Sequence, residues 1–238
     1  LCIQCGNCSF VCPHSVIRTR YYDSSRLEHA PPGFKSAPLN GPGLPSTGYT
    51  LQVYVEDCTG CALCVEACPV SGGGDPVRKA INLTEREPIV ERERENTEFF
   101  ERLPEADRSR VDFGTVRGTQ FLEPLFEFSG ACAGCGETPY IKLVSQLFGD
   151  RLVVANATGC SSIYGGNLPT TPWTSGADGR GSLLTDNMVF AFKQGQAAFY
   201  GGDARVDMHP VKALHFENSI SMVFGDLLGS PGIKTKDS

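Results

Sequence analysis

Residues 58–69 read CTGCALCVEACP, and the C-x2-C-x2-C-x3-C-P spacing of Cys58, Cys61, Cys64 and Cys68 decides the fold of the first part of this chain. At that spacing a tight loop aims three thiolates at one iron–sulfur cube, while the fourth cysteine faces away and ligates a second cube. One such octet therefore demands another. Residues 2–13, CIQCGNCSFVCP, supply it with identical spacing at Cys2, Cys5, Cys8 and Cys12. The spacing predicts crossed sets, with Cys2, Cys5, Cys8 and Cys68 around one [4Fe-4S] cluster and Cys58, Cys61, Cys64 and Cys12 around the other. Pro13 and Pro69 have no amide hydrogen, so each ends its ligand loop. Zinc sites take cysteines in C-x2-C pairs, and disulfide frameworks have no need of two identical octets, so both are weaker readings.

The segments around the octets read as an α+β, ferredoxin-like two-cluster domain over residues 1–84. Residues 15–18, the pair Tyr21 and Tyr22, and residues 49–55 (YTLQVYV) have strand character. Residues 31–48 are rich in Pro and Gly and read as a loop inserted between the octets. Residues 71–76 (SGGGDP) read as a flexible turn rather than a phosphate cradle, because no strand-loop-helix pattern or following Lys-Ser/Thr accompanies them. Residues 80–83 (AINL) are expected to return as a short strand. His14 reads as a polar neighbour of a cluster loop, since the cysteines already complete both sets. Residues 85–122 read as a connector. Its first part, 85–103, is a solvated helix held to the body by Phe99, Phe100 and Leu103.

With 21 Lys and Arg against 27 Asp and Glu, the net charge is −6, and no basic field exists to attract nucleic acid or anionic lipid. No run of 18 or more apolar residues and no signal-peptide pattern occurs, so no membrane partner is expected. Of the 11 cysteines, eight belong to motifs that need reduced thiolates, which points to a reducing, cytoplasmic and oxygen-poor setting. The sequence starts at Leu1, directly before its first ligand and without Met, and reads as a piece of a longer polypeptide.

A second domain is expected over residues 123–238, beginning EPLFEFSGACAGCGETPYIKLVSQLFG. Cys132 and Cys135 form a C-x2-C pair among small residues. Thr138 and Pro139 open a helix with an apolar stripe of Ile141, Leu143, Val144, Leu147 and Phe148, and Gly149 stops it. A buried strand follows at 152–155 and delivers the loop 156–162 (NATGCSS), an order in which α/β sheets place ligand sites. Cys132, Cys135 and Cys160 form an incomplete set: structural cysteines, a partial zinc site, or a third cluster whose last ligand lies elsewhere. Trp173 reads as packing a loop, and Asp203, Asp207, His209, His215 and Glu217 as scattered surface polar groups.

The motifs SGACAGCGETPY and NATGCSSIYGGNLPTTPW, following a two-cluster domain, resemble the pyruvate:ferredoxin oxidoreductase family over residues 2–180. The resemblance implies that residues 123–238 begin an α/β thiamine-diphosphate-binding domain. It implies that Cys132, Cys135 and Cys160 are three ligands of a third [4Fe-4S] cluster, and that Glu137 and Cys160 line the thiamine-diphosphate site. No catalytic residue carries over. The implied activity is oxidative decarboxylation of pyruvate to acetyl-CoA and CO2, with coenzyme A as co-substrate and electrons leaving through the clusters to ferredoxin or flavodoxin. The implied full enzyme is a homodimer, and this chain alone is expected to be inactive. The family's Mg-diphosphate signature, Gly-Asp-Gly followed by Asn, is absent, and no likeness extends over 193–238. The alternatives are a stand-alone two-cluster electron carrier, or the same module in a pyruvate:NADP or other 2-oxoacid oxidoreductase.

Overall fold

Two short cysteine loops, each ending in one helical turn, are pinned to a small antiparallel sheet. A computed structural model of the chain describes residues 2–41, 46–72, 75–156, 159–165, 171–177, 179 and 181, and the strands at 191–193, 196–198, 212–216 and 220–224. In chain order the elements are α1 (Asn7–Phe10), β1 (Ile17–Asp23), β2 (Ala37–Pro38), β3 (Thr47–Val53), α2 (Leu63–Glu66), β4 (Ser71–Gly72) and β5 (Asp75–Lys79). Then come α3 (Val90–Arg102), α4 (Val116–Thr119), α5 (Thr138–Phe148), β6 (Leu152–Asn156), α6 (Cys160–Gly165), β7 (Ala191–Lys193), β8 (Gln196–Ala198), β9 (Lys212–Phe216) and β10 (Ile220–Phe224).

Strands β1 and β3 pair antiparallel from Ile17 opposite Val53 to Asp23 opposite Thr47, and β2 joins the far side of β3 with Ala37 opposite Tyr49. The expected strands at 15–22 and 49–55 are thus present. The Pro/Gly-rich insert differs from a pure loop by the short strand β2. The expected strand at 80–83 lies instead at 75–79, where β5 pairs with β4. Residues 71–72 therefore belong to a hairpin, and residues 73–74 lie outside the described residues.

Strand β1 is buried at four successive positions, Ile17 to Arg20, because chain covers both of its faces. Ile17 joins Val16, Tyr22, Tyr54, Phe99, Phe100 and Leu103 in an apolar core that also takes in Cys12. Phe100 is fully buried, so the expected apolar anchor of the 85–103 helix is present. Thr19, on the same face of the strand as Ile17, donates its hydroxyl to the Gln120 carbonyl at 2.9 Å. The polar Arg18 and Arg20 lie on the opposite face and are satisfied there. Arg18 pairs with Glu123 and Glu127, and Arg20 pairs with Glu123 at 3.1 Å and donates to the carbonyl of Phe100 at 2.8 Å. Residues 85–127 are therefore wrapped onto the two-cluster module as part of its body.

The second core gathers Phe126, Ile141, Leu152, Val154, Tyr164 and Trp173. Trp173 packs edge-on to Phe126 with ring centroids 4.8 Å apart, as its packing reading anticipated. Helix α5 spans the expected residues with Pro139 in its first turn and Gly149 at its end. The face it buries differs from the apolar stripe. Thr138, Ile141, Lys142, Ser145 and Gln146 are buried, whereas Leu143, Val144, Leu147 and Phe148 are half-exposed. The reason is a polar neighbour: Gln146 bonds Gln120 at 3.1 Å and the Leu122 carbonyl at 2.7 Å, and Ser145 accepts from the Leu125 amide at 3.1 Å.

Strand β6 is the edge of an antiparallel sheet ordered β6-β10-β9, and β7 pairs with β8. The side chains of Asp203, Asp207, His209, His215 and Glu217 lie outside the described residues. No described helix is long and apolar enough to cross a membrane.

Candidate metal centre

The two octets repeat one another in backbone as well as in sequence. The residue before the second cysteine and the residue after it are left-handed in both loops: Gln4 (φ 59°) and Gly6 (φ 81°) in the first, Gly60 (φ 70°) and Ala62 (φ 64°) in the second. Helical turns α1 and α2 then start at equivalent places, at Asn7 and Leu63. In each loop the amide following the third cysteine, that of Ser9 or Val65, bonds the preceding sulfur. Each loop thus curls its first three thiols inward and sends the fourth away, and Cys12 and Cys68 are the buried members of the eleven cysteines.

The left-handed positions are filled unequally. A side chain at Gly6 would be crowded, with its Cβ 3.2 Å from the Arg117 Cα on a left-handed backbone, whereas Ala62 bears the cost of its left-handed backbone. Replacing Ala62 with Gly is expected to stabilise the chain by about 1 kcal/mol or less, because relief of strain is offset in part by greater freedom of the unfolded chain. Thermal unfolding of the two proteins side by side would check this, and a lowered midpoint would show that the alanine methyl is needed for packing.

A cavity of about 1040 Å³ is lined by Cys2, Cys5, Cys8, Cys58, Cys64 and Cys68, with β3 along one side. Cys68 therefore shares one space with cysteines of both octets, Cys2, Cys5 and Cys8 of the first and Cys58 and Cys64 of the second. Burial pushes the Cys64 thiol up to about 11, with Cys12, Cys58 and Cys61 the next contributors. Burial, and then Cys2, with smaller contributions from Cys5 and Cys64, likewise pushes Cys8 up to about 12. Both thiols are thus protonated near neutral pH and load metal only by releasing a proton. Among the described residues no three His, Cys, Asp or Glu side chains converge on a position for one metal ion. Thiols spread around a cavity suit a cube, which offers a separate iron to each of four cysteines.

The third cysteine group lies directly against the second octet. Gly134, between Cys132 and Cys135, has φ 77°, and a Cβ built on it would stand 4.0 Å from the Cys61 Cβ. His14 ties the two loops together. Its Nε2 donates to the Ala131 carbonyl at 2.8 Å, while its Nδ1 faces the Thr59 hydroxyl at 3.4 Å, and its own carbonyl accepts from the Phe128 amide at 2.9 Å. His14 is thus buried as a bridge between two cysteine loops, a stronger role than that of a polar neighbour.

Glu137 stands at the N-terminus of α5, and Cys160 opens helix α6 rather than lying within a loop. The two come together around Tyr164, whose ionisation is pushed up by burial and by the nearby charges of Glu137, Cys135 and Cys160. The Tyr164 hydroxyl faces the Glu137 carboxylate, and the buried Thr138 hydroxyl has no hydrogen-bond partner among the described residues. Glu137, Cys135 and Cys160 thus gather around Tyr164. Cys132 is exposed on the same loop. Lys142 and Arg18 escaped the sequence reading. The only signal for Lys142 was a cation lodged between apolar residues of a helix.

The family model described as a 4Fe-4S dicluster domain matches residues 1–71. The chain is 55% identical over 197 residues to a pyruvate-flavodoxin oxidoreductase of Nostoc sp., covering 81% of this chain and 16% of that protein. It is 49% identical over 219 residues to a probable pyruvate-flavodoxin oxidoreductase of Escherichia coli, covering 90% of this chain and 18% of that protein. A pyruvate:ferredoxin oxidoreductase of Moorella thermoacetica is 46% identical over 198 residues, covering 80% of this chain and 16% of that protein. The chain thus spans about a sixth of the length of the curated relatives it matches.

Proposed function

Because this chain is homologous to one segment of the pyruvate-flavodoxin and pyruvate:ferredoxin oxidoreductases, we propose that it is the electron-transfer segment of such an enzyme. In this reading electrons from the oxidative decarboxylation of pyruvate, with coenzyme A as acyl acceptor, cross two [4Fe-4S] clusters to flavodoxin or ferredoxin. The observation that carries it is the convergence of the two octets on one cavity lined by Cys2, Cys5, Cys8, Cys58, Cys64 and Cys68, and the action of Cys12 on Cys64 supports the crossed sets. Bound there, the clusters would supply one-electron chemistry. The chain's contribution is to hold the thiols, exclude water behind the sheet and point amides at Cys8 and Cys64, all of which set reduction potentials.

The third set extends the reading. Cys132, Cys135 and Cys160 would hold part of a further cluster, abutting Cys61 across Gly134. Glu137 and Cys160 would line a thiamine-diphosphate and magnesium site at the start of an α/β domain from residue 123. The gathering of Glu137 and Cys160 around Tyr164 and the unpartnered Thr138 hydroxyl support a polar ligand there. A homodimeric full enzyme in a reducing cytoplasm completes the proposal.

The test is iron and acid-labile sulfide per chain after anaerobic reconstitution. About eight of each are expected from the two complete sets, with additional iron where the third set loads. Replacing Cys132 and Cys135 with Ser is expected to remove only that additional iron and to leave the EPR signals of the first eight. Zinc in place of iron, or two irons per chain, would overturn the cluster reading.

A further inference from the structure

Lys142 projects from the middle of α5 into the back of the first cysteine loop. The residue is 1% exposed, and its Nζ donates to the Ser9 carbonyl. The ionisable groups acting on it are Cys12, Arg18 and Cys8, with no carboxylate among them. Arg18 is itself a cation, and its charge is taken up by Glu123 and Glu127. An ammonium buried to this degree without a counter-charge is expensive. The Ser9 carbonyl gives no reason for a charge either, since it already accepts from the Cys12 amide at 3.3 Å.

The position of Lys142 supplies the reason. Ser9 lies between Cys8, assigned to one cluster, and Cys12, assigned to the other, so the ammonium stands where the two thiolate sets meet. A [4Fe-4S] cube with four thiolates is an anion whose charge grows on reduction. We propose that Lys142 is the shared counter-ion of the two clusters, and that its positive charge holds both reduction potentials higher than the cysteine loops alone would set them. The inference rests on the two-cluster reading above. Burial removes the solvent screening that would weaken such an effect at the surface. Lys79 provides the contrast: its Nζ donates to the Cys68 carbonyl at 2.7 Å, but the residue is only half-buried.

The experiment is an EPR-monitored redox titration of the anaerobically reconstituted full chain, comparing wild type with Lys142→Met, Lys142→Gln and Lys79→Met, with iron measured on each. Full iron in both Lys142 variants, with both midpoint potentials displaced to more negative values and a smaller displacement in Lys79→Met, is the expected result. Full iron with unchanged potentials in both Lys142 variants would overturn the assignment. Loss of iron from both would overturn it as well, because Lys142 would then serve loading and not potential. A wild-type chain that takes up no iron would instead sink the two-cluster reading itself.

Discussion

Replacing Cys12 with Ser is expected to abolish the cluster of the other octet, the one held by Cys58, Cys61 and Cys64, and to leave that of Cys2, Cys5 and Cys8 intact. About four irons per chain should be lost, and Cys68→Ser should produce the reciprocal loss. The expectation rests on the octet spacing, and it is supported by the burial of both fourth cysteines and by the action of Cys12 on Cys64 of the other octet. Double replacements make the assignment unambiguous. Cys12→Ser with Cys58→Ser should lose no more iron than Cys12→Ser alone, whereas Cys12→Ser with Cys2→Ser should empty both sites. If Cys12→Ser and Cys2→Ser prove to remove the same cluster, each octet closes on its own cube and the crossed arrangement is wrong.

Arg18→Met is expected to destabilise the loaded chain by about 3–5 kcal/mol, the cost of leaving buried charge without its partner. Arg18 is 7% exposed. Its guanidinium reaches Glu123 through Nη1 and Glu127 through Nη2, while Nε donates to the Ser15 carbonyl at 3.1 Å. It also lies over the rings of Tyr54 and Phe128, 4.8 and 5.1 Å from their centroids. Removing it strands Glu127 and leaves Glu123 with Arg20 alone, at the seam between the cluster sheet and the chain leading to the third cysteine pair. Arg18→Lys should recover little of the loss, because an ammonium cannot bond both carboxylates and the Ser15 carbonyl from one planar fork. Chemical denaturation of the three proteins measures the effect, and a loss below about 1 kcal/mol, typical of exposed pairs, would show that the seam is held by packing alone.

The seam explains why the cysteine loops alone do not define the module. Ser9 donates to the Ile17 carbonyl at 2.7 Å and its hydroxyl oxygen lies 3.0 Å from Gln120 Oε1, Gln120 bonds Gln146, and Lys142 reaches back to Ser9. A continuous buried polar network thus runs from the first octet to α5. Such a network specifies one relative placement of its parts, since a shift of either side leaves several buried groups unpaired at once.

What the sequence by itself determined is whatever depends on local spacing and on residue chemistry. The two octets define ligand loops because three-residue intervals bring thiols to one side of a tight turn. Phe99, Phe100 and Leu103 announce the anchored end of a charged helix, and Pro139 and Gly149 bound α5. Tertiary structure alone decided which face of α5 is buried, because the Ser9–Gln120–Gln146 network draws in Lys142 and Ser145 while Leu143 and Leu147 remain half-exposed. It also decided that His14 joins Thr59 to Ala131, that Cys68 lines one cavity with cysteines of both octets, and that β5 forms at 75–79 rather than 80–83. These features depend on partners distant in sequence or on a strand's register, and the periodicity of a single segment carries no record of either.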